Sequence, residues 1–115
     1  MERTVLSLKT DISFDLVIVD DGSDSINQPN KGEVQSWIKG RNATPHLIGF
    51  ERNKGVEHAL NYGLRYIQNQ IKADFILRID TGDECIGDRI NLQYNYLCQH
   101  SDVDLVGSWV RYVSV

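Results

Sequence analysis

Paired carboxylates follow an apolar run near the start of this 115-residue chain. The run at residues 16–20 ends in Asp20-Asp21-Gly22-Ser23. A carboxylate at the end of a strand can accept hydrogen bonds from an imide N–H or from sugar hydroxyls, and Gly22 permits a sharp turn and a close approach to a ligand. The alternative is turn chemistry alone, because Asp, Gly and Ser are common wherever a strand ends.

A second acidic group follows another apolar run. Residues 75–79 lead into Asp80-Thr81-Gly82-Asp83. Carboxylates at positions i and i+3 after a strand can converge on one hard cation, and Mg²⁺ or Mn²⁺ takes oxygen ligands and shares itself readily with phosphates. Such a metal would act as a Lewis acid toward a leaving phosphate group. The alternative is again a strand-ending aspartate with a glycine turn.

Asn53-Lys54-Gly55 precedes the most regular helical pattern in the chain. We expect Asn53 to cap this helix, and the free N–H groups at the helix start could hold an anion. Lys54 would add a positive charge beside that anion. A helix cap without a ligand is the alternative. None of the three histidines is assigned a role.

A regular alternation of helices and strands positions these groups. Apolar residues from Val56 to Ile71 recur at helical spacing and predict an amphipathic helix, whereas continuous apolar runs that end in acids are typical of buried parallel strands. Helices and strands alternate, beginning with a helix, at residues 3–9, 16–20, 32–39, 46–50, 56–71, 75–79, from about 88, and 105–113. This order predicts an α/β fold with a mostly parallel sheet and helices on both faces, and such sheets bind ligands beyond the carboxyl ends of their strands.

The composition is that of one ordinary globular domain. Hydrophobic residues make up 41% of the chain, charged residues 24%, and the net charge is −4. No nucleic-acid partner is expected, because the Lys and Arg residues form no basic stripe. No apolar run approaches the roughly 20 residues that span a bilayer, and residues 1–10 lack a signal-peptide pattern. We therefore expect a cytoplasmic protein, at the inner face of a membrane if the full protein associates with one. Cys85 and Cys98 are interpreted as reduced thiols.

Taken together, these segments resemble family 2 glycosyltransferases. Val-Ile-Val-Asp-Asp-Gly-Ser-Asp at residues 17–24 is similar to the signature that ends the second strand of that family. The other segments that follow the family pattern, in the same order, are residues 53–55, 59–64, 75–80, 88–90 and 102–108. The resemblance covers nearly the whole chain and implies the Rossmann-like GT-A fold.

The resemblance also implies a donor site for a nucleoside diphosphate sugar, with uridine as the usual nucleoside. On this basis Asp20 and Asp21 contact the nucleobase and the ribose, Asn53 and Lys54 lie beside the nucleotide, and Asp80 faces the ribose and a diphosphate bound to Mg²⁺ or Mn²⁺. The remaining donor-binding positions in these loops are Gly22, Ser23 and Gly55. The implied reaction is transfer of the sugar, with inversion, to a glycan or lipid-linked acceptor in polysaccharide biosynthesis.

The chain departs from the family pattern in two respects. The usual Asp-x-Asp motif would have an acid at position 82, where this chain has Gly82, so Asp80 and Asp83 are the expected metal ligands. Nothing like the first strand of the family precedes Met1, and the acceptor half with the catalytic general base is expected outside this chain. Residues 1–115 are therefore interpreted as the donor-binding half of a GT-A domain, inactive by itself. Its exposed sheet edge predicts a homo-oligomer.

Three other functions are weighed against this interpretation. A non-catalytic nucleotide-binding or assembly module of the same fold would explain Gly82. A phospho-accepting receiver domain also has paired aspartates after a strand, and its phosphorylated aspartate follows one βα unit later. Here the next strand-end acid, Asp80, is 60 residues further on, and the closing strand lacks the expected lysine. A dinucleotide-binding oxidoreductase is disfavoured because no Gly-x-Gly-x-x-Gly motif follows a strand. Metal-dependent binding of a nucleotide sugar would distinguish the transferase from the first of these.

Overall fold

A computed structural model describes residues 1–114. Its elements are α1 (Glu2–Leu6), β1 (Phe14–Asp21), α2 (Lys31–Trp37), β2 (Ala43–Phe50), α3 (Val56–Tyr66), a π-helical segment that continues α3 (Ile67–Ile71) and α4 (Arg89–Gln99). The predicted order is confirmed as far as the end of the third helix. No helix in this described part combines the length and apolar character needed to cross a bilayer.

The two strands form a parallel sheet. β1 pairs with β2 in a register that runs from Phe14 opposite Ala43 to Asp21 opposite Phe50. Parallel strands need a crossover between them, and α2 lies in that crossover. Because both strands run in the same direction, their carboxyl ends meet at one edge of the sheet, which is where the first acidic pair lies.

The core lies between one face of the sheet and the first two helices. Its buried apolar side chains come from α1 and the turn after it, from β1, and from α2 and its C-cap: Val5, Leu8, Ile18, Val34 and Ile38. The start of α2 is fixed by a reciprocal cap, in which the Asn30 side chain accepts from the Glu33 N–H at 2.9 Å and the Glu33 carboxylate accepts from the Asn30 N–H at 3.1 Å. This capping box makes Lys31 the first helical residue.

The opposite face of the sheet is covered by α3. Gly63 packs closely against β1, since a Cβ atom there would lie 3.0 Å from Cγ2 of Val19. The helical segment extends through the predicted apolar stripe to Ile71 and ends at Lys72, whose φ of 59° places it in the left-handed region. Helices on both faces of a parallel sheet confirm the α/β fold class.

The third and fourth predicted strands are not strands in the described residues. Neither residues 75–79 nor residues 105–113 belong to a strand, and a single isolated bridge joins Thr81 to Asp83. Phe75, Ile76 and Leu77 are 42%, 52% and 40% exposed, which contradicts a buried strand. An apolar run becomes a strand only when a neighbouring chain segment accepts and donates its hydrogen bonds, and β1 and β2 pair only with each other among residues 1–114.

Candidate functional site

The adjacent residues Asp20 and Asp21 lie on opposite faces of the sheet. Successive side chains of a strand alternate between faces, so Asp20 shares the face of the buried Ile18 and Asp21 shares the face of Val19 that α3 covers. Asp20 is 6% exposed, whereas Asp21 is half-buried. The repulsion expected of two adjacent buried acids is reduced by this separation, and the two side chains have different surroundings.

The Asp20 carboxylate is satisfied at one oxygen only. Its Oδ1 accepts hydrogen bonds from the Ser23 N–H at 3.3 Å and from the Ser23 hydroxyl at 2.5 Å. Its Oδ2 is buried and has no hydrogen-bond partner among the described residues. Leaving a buried acceptor unsatisfied is costly, and it is more so for a charged group. This oxygen is therefore free to accept a hydrogen bond from a ligand.

Asp20 lines a cavity of about 340 Å³ at the carboxyl edge of the sheet. The wall combines polar and apolar side chains with an aromatic ring, namely Asp20, Gln28, Pro29, Leu47, Ile48, Gly49, Phe50 and Glu51. Gly49 is required there, because a Cβ atom would lie 2.5 Å from the Asp20 carbonyl oxygen. Apolar walls with a small number of polar groups are the usual composition of a small-molecule site.

A larger cavity, of about 470 Å³, lies between the π-helical segment and the chain that follows it. Leu64, Ile67, Ala73 and Ile76 supply its apolar lining, and none of its lining residues is acidic. The smaller cavity is the better candidate for chemistry, because Asp20, whose Oδ2 is unsatisfied, is one of its lining residues.

Asp21 holds the start of α3. One of its carboxylate oxygens accepts from the Lys54 N–H at 2.8 Å and the other accepts from the Gly55 N–H at 2.9 Å. The prediction that Asn53 caps the helix is wrong: the N-cap is Gly55, and the Asn53 side chain accepts from the Gly55 N–H at 3.1 Å. Asp21 thus binds the N–H groups of Lys54 and Gly55, which precede the first residue of α3, and the anion expected at the helix start stays a prediction.

Gly22 brings the loop after β1 against the loop after β2. Its φ is +73°, and an added Cβ atom would collide with the backbone of Arg52 and Asn53. Both features require glycine. The close approach expected at Gly22 is thus made to another loop of the protein.

The Lys54 side chain contacts Phe50, one of the residues that line the cavity. Its Nζ is 4.4 Å from the centroid of the Phe50 ring, a cation–π contact. Phe50 stacks in turn on Tyr62 of α3, with ring centroids 5.0 Å apart, and Phe50 also lines the cavity. The Lys54 ammonium thus lies over the ring of a cavity-lining residue, on the face of the sheet that α3 covers.

The second acidic group forms an exposed turn. The Asp83 N–H donates to the Asp80 carbonyl at 3.1 Å, and the Asp80 carboxylate accepts from the Arg78 guanidinium at 3.3 Å. Gly82 has a φ of +103° and donates its N–H to the Thr4 hydroxyl at 3.0 Å. An L-amino acid is strained at that φ, which gives a local reason for glycine where an acid was expected.

The expected metal ligands Asp80 and Asp83 form no larger cluster. Within residues 1–114, no three His, Cys, Asp or Glu side chains converge on one point. The two cysteines are free thiols, as expected, with Cys85 buried and Cys98 exposed.

Sequence reasoning overlooked a polar cluster on the α3 face of the sheet. His46 of β2 lies between Asp15 and Tyr66, with Nε2 2.8 Å from the Asp15 carboxylate and Nδ1 2.9 Å from the Tyr66 hydroxyl. The register of the two strands would have indicated this cluster, because His46 pairs with Val17 and therefore lies on the same face of the sheet as Asp15. The cluster fastens the last turn of α3 to both strands.

Comparison with known proteins agrees with this architecture. The model of the family described as Glycosyl transferase family 2 matches residues 1–115. The chain is 27% identical over 97 residues to UDP-Gal:alpha-D-GlcNAc-diphosphoundecaprenol beta-1,3-galactosyltransferase of Escherichia coli, a match that covers 84% of this chain and 32% of that protein. It is 32% identical over 97 residues to the amylovoran biosynthesis glycosyltransferase AmsE of Erwinia amylovora, covering 84% of this chain and 33% of that protein.

The chain thus spans about a third of the length of these relatives. No solved structure matches it. Because the family model matches the chain over its whole length, residues 1–115, the chain belongs to glycosyl transferase family 2.

Proposed function

We propose that this chain supplies the donor side of a sugar-transfer site and binds a nucleoside diphosphate sugar, with uridine as the nucleoside. The observation that carries the proposal is the buried carboxylate of Asp20, which lines a cavity at the carboxyl edge of the sheet and whose Oδ2 has no partner among the described residues. The name of the Escherichia coli relative, which includes UDP-Gal, supports the same class of donor.

The chemistry of Asp20 favours particular bases. A carboxylate oxygen only accepts hydrogen bonds. Uracil offers an imide N–H, as do thymine and guanine, whereas cytosine and adenine offer an acceptor nitrogen at the corresponding position. The apolar side chains of Pro29 and Leu47 would contact the flat faces of the base. Uridine is the pyrimidine nucleoside that we expect this cavity to prefer over cytidine.

Two further groups would contact the diphosphate. Lys54 places its ammonium over the ring of Phe50, a residue that lines the cavity, and Asn53 lies next to it in the same loop. A divalent cation, Mg²⁺ or Mn²⁺, fits the donor set of Asp80 and Asp83, because one exposed turn supplies hard carboxylate oxygens. Other ligands would come from phosphate and water. When bound, such a cation offsets the charge that develops on a leaving diphosphate.

The reaction that we propose for the whole protein is transfer of the sugar to a glycan or a lipid-linked acceptor, with inversion at the anomeric carbon. Inversion needs a base that removes the proton of the acceptor hydroxyl as it attacks. We assign no residue of this chain to that role. A nucleotide-binding module without transfer activity is the second candidate function, and Gly82 in place of the expected acid is the observation that favours it.

The test is a calorimetric titration of the chain with UDP and CDP, in which Asp20→Asn is compared with the unaltered protein. Asparagine can keep its oxygen on Ser23 and puts an N–H₂ donor where Oδ2 lies. We expect Asp20→Asn to bind UDP at least about tenfold more weakly, as loss of a charged acceptor implies, and to discriminate less against CDP. Asp24→Asn, an exposed acid of the same loop, is the matched control. Equal UDP affinity in Asp20→Asn would contradict the proposal.

A further inference from the structure

We propose that Asp21 is a positioning residue, which acts on the diphosphate of the donor through Lys54 without touching the donor itself. The inference rests on the proposed function and revises the ribose contact that the family resemblance implied for Asp21. It concerns the residue next to the base-recognising Asp20, and it assigns the two neighbouring acids to different ends of the nucleotide.

Both carboxylate oxygens of Asp21 accept hydrogen bonds within the protein. They accept from two successive backbone N–H groups, of Lys54 and Gly55, at 2.8 and 2.9 Å. Hydrogen bonds from N–H groups to an ionised carboxylate are stronger than those between neutral groups. The contact joins residues separated by more than thirty positions, so it holds the loop after β2 to the end of β1.

Lys54 makes contacts through both its backbone N–H and its side-chain ammonium. Its backbone N–H binds Asp21, and its Nζ lies over the ring of Phe50, which lines the cavity. Gly22 fixes the spacing, because a Cβ atom there would strike the Arg52–Asn53 backbone. The position of the Lys54 ammonium relative to the cavity is therefore set from β1, the same strand that carries Asp20.

The charge of Asp21 also affects how this loop meets an anion. The N-terminus of a helix carries a partial positive charge and is a ready anion site when its N–H groups are free. Asp21 places a carboxylate beside Gly55, the N-cap of α3, and its negative charge offsets the partial positive charge of the helix end. The cationic side chains of this loop are those of Arg52 and Lys54, and Lys54 is the one whose backbone N–H binds Asp21. If the Lys54 ammonium were removed, the Asp21 carboxylate would repel an anion that approached this loop.

The experiment compares UDP with uridine, because uridine has the base and ribose but no phosphate. We would titrate the unaltered chain, Asp21→Asn, Lys54→Ala and the double variant with UDP by calorimetry and with uridine by NMR, which measures weak binding. The expected result is a loss of roughly tenfold in UDP affinity for Asp21→Asn, with uridine affinity changed less than about twofold. In the Lys54→Ala background, Asp21→Asn should weaken UDP binding no further.

Uridine binding also shows whether the variant keeps its fold at the cavity. An equal loss of UDP and uridine would mean that Asp21 has a merely structural role, and additive losses in the double variant would mean that it acts independently of Lys54. Either result overturns the inference, as does unchanged UDP affinity in Asp21→Asn. If the unaltered chain bound neither compound, the proposed function itself would fail, and the inference with it.

Discussion

The Tyr66 hydroxyl lies 2.9 Å from Nδ1 of His46, and this contact ties the last turn of α3 to β2. Tyr66→Phe removes the hydroxyl and keeps the ring. We expect it to lower the free energy of unfolding by about 1 kcal/mol, the net contribution of a typical hydrogen bond, as measured by urea denaturation. Tyr96→Phe, in the exposed helix α4, is the matched control and should change little. Equal stability of the two variants would show that the contact does not hold α3.

Gly22 and Gly40 have similar backbone conformations but different surroundings. Their φ angles are +73° and +76°, and a Cβ atom would strike the Arg52–Asn53 backbone only at Gly22, since nothing lies within 4 Å at Gly40. Gly40→Ala should cost about 1–2 kcal/mol of unfolding free energy, because an L-residue is strained at this φ. Gly22→Ala should cost a further ~1–3 kcal/mol for the collision. Thermal or urea unfolding of both variants measures the difference, and similar losses would contradict this packing.

The contribution of a divalent cation can be isolated as the ratio of UDP affinities with Mn²⁺ and with EDTA. We expect Asp80→Asn to reduce this ratio most and Asp83→Asn to reduce it less, because Asp80 ends the apolar run whereas Asp83 replaces the missing acid at position 82. Asp102→Asn, an exposed acid after α4, is the control. A ratio that is large and unchanged in both variants would place the cation elsewhere.

Restoring an acid at position 82 is not expected to strengthen the metal site. Gly82→Asp would place an L-residue at a φ of +103°, so the turn must either hold strain or change its backbone and lose the Gly82 N–H bond to Thr4. We expect lower unfolding free energy and no gain in the Mn²⁺-dependent part of UDP affinity. A gain of about tenfold or more would show that the turn is adaptable.

The ionisation of Tyr94 should depend on Cys98. Hydrogen bonding with the Cys98 side chain, followed by the charge of its thiolate, raises the pKa of Tyr94 above its ordinary value of 10.0. A raised pKa in the folded state stabilises the fold while Tyr94 is protonated; this contribution is complete below pH 10.0 and is lost as the pH rises through the raised pKa. Cys98→Ala should lower the pKa of Tyr94, which an NMR titration of its ring would measure. An unchanged pKa would contradict the assigned cause.

Self-association is a prediction that the surface of the described residues supports. Each strand of the two-stranded sheet has an unpaired edge within residues 1–114, and Leu105, Trp109 and Tyr112 are 88%, 102% and 94% exposed. Unpaired edges and exposed apolar side chains both favour contact with another copy. We propose a homo-oligomer, and we expect light scattering to show a mass that rises with concentration and falls in Trp109→Ser. A monomer mass over a wide concentration range would contradict this.

The amino-acid sequence alone determined the elements whose signals are local. The apolar run before Asp20 predicted β1, and the helical spacing from Val56 to Ile71 predicted α3 with its continuation. Such patterns depend only on neighbouring residues, since a strand repeats every two residues and a helix every 3.6. The sequence also identified the family, because several motifs occur in one order along the chain.

The tertiary structure decided what those motifs contact. Strand alternation separates Asp20 from Asp21, but only the position of α3 shows that Asp21 binds Lys54 and Gly55. The apolar run at residues 75–79 has the composition of a strand, yet strand pairing requires a partner far away in sequence, and the described residues offer none. Local patterns report the preference of a segment, whereas hydrogen-bond partners and buried, unsatisfied groups depend on residues that only the fold brings together.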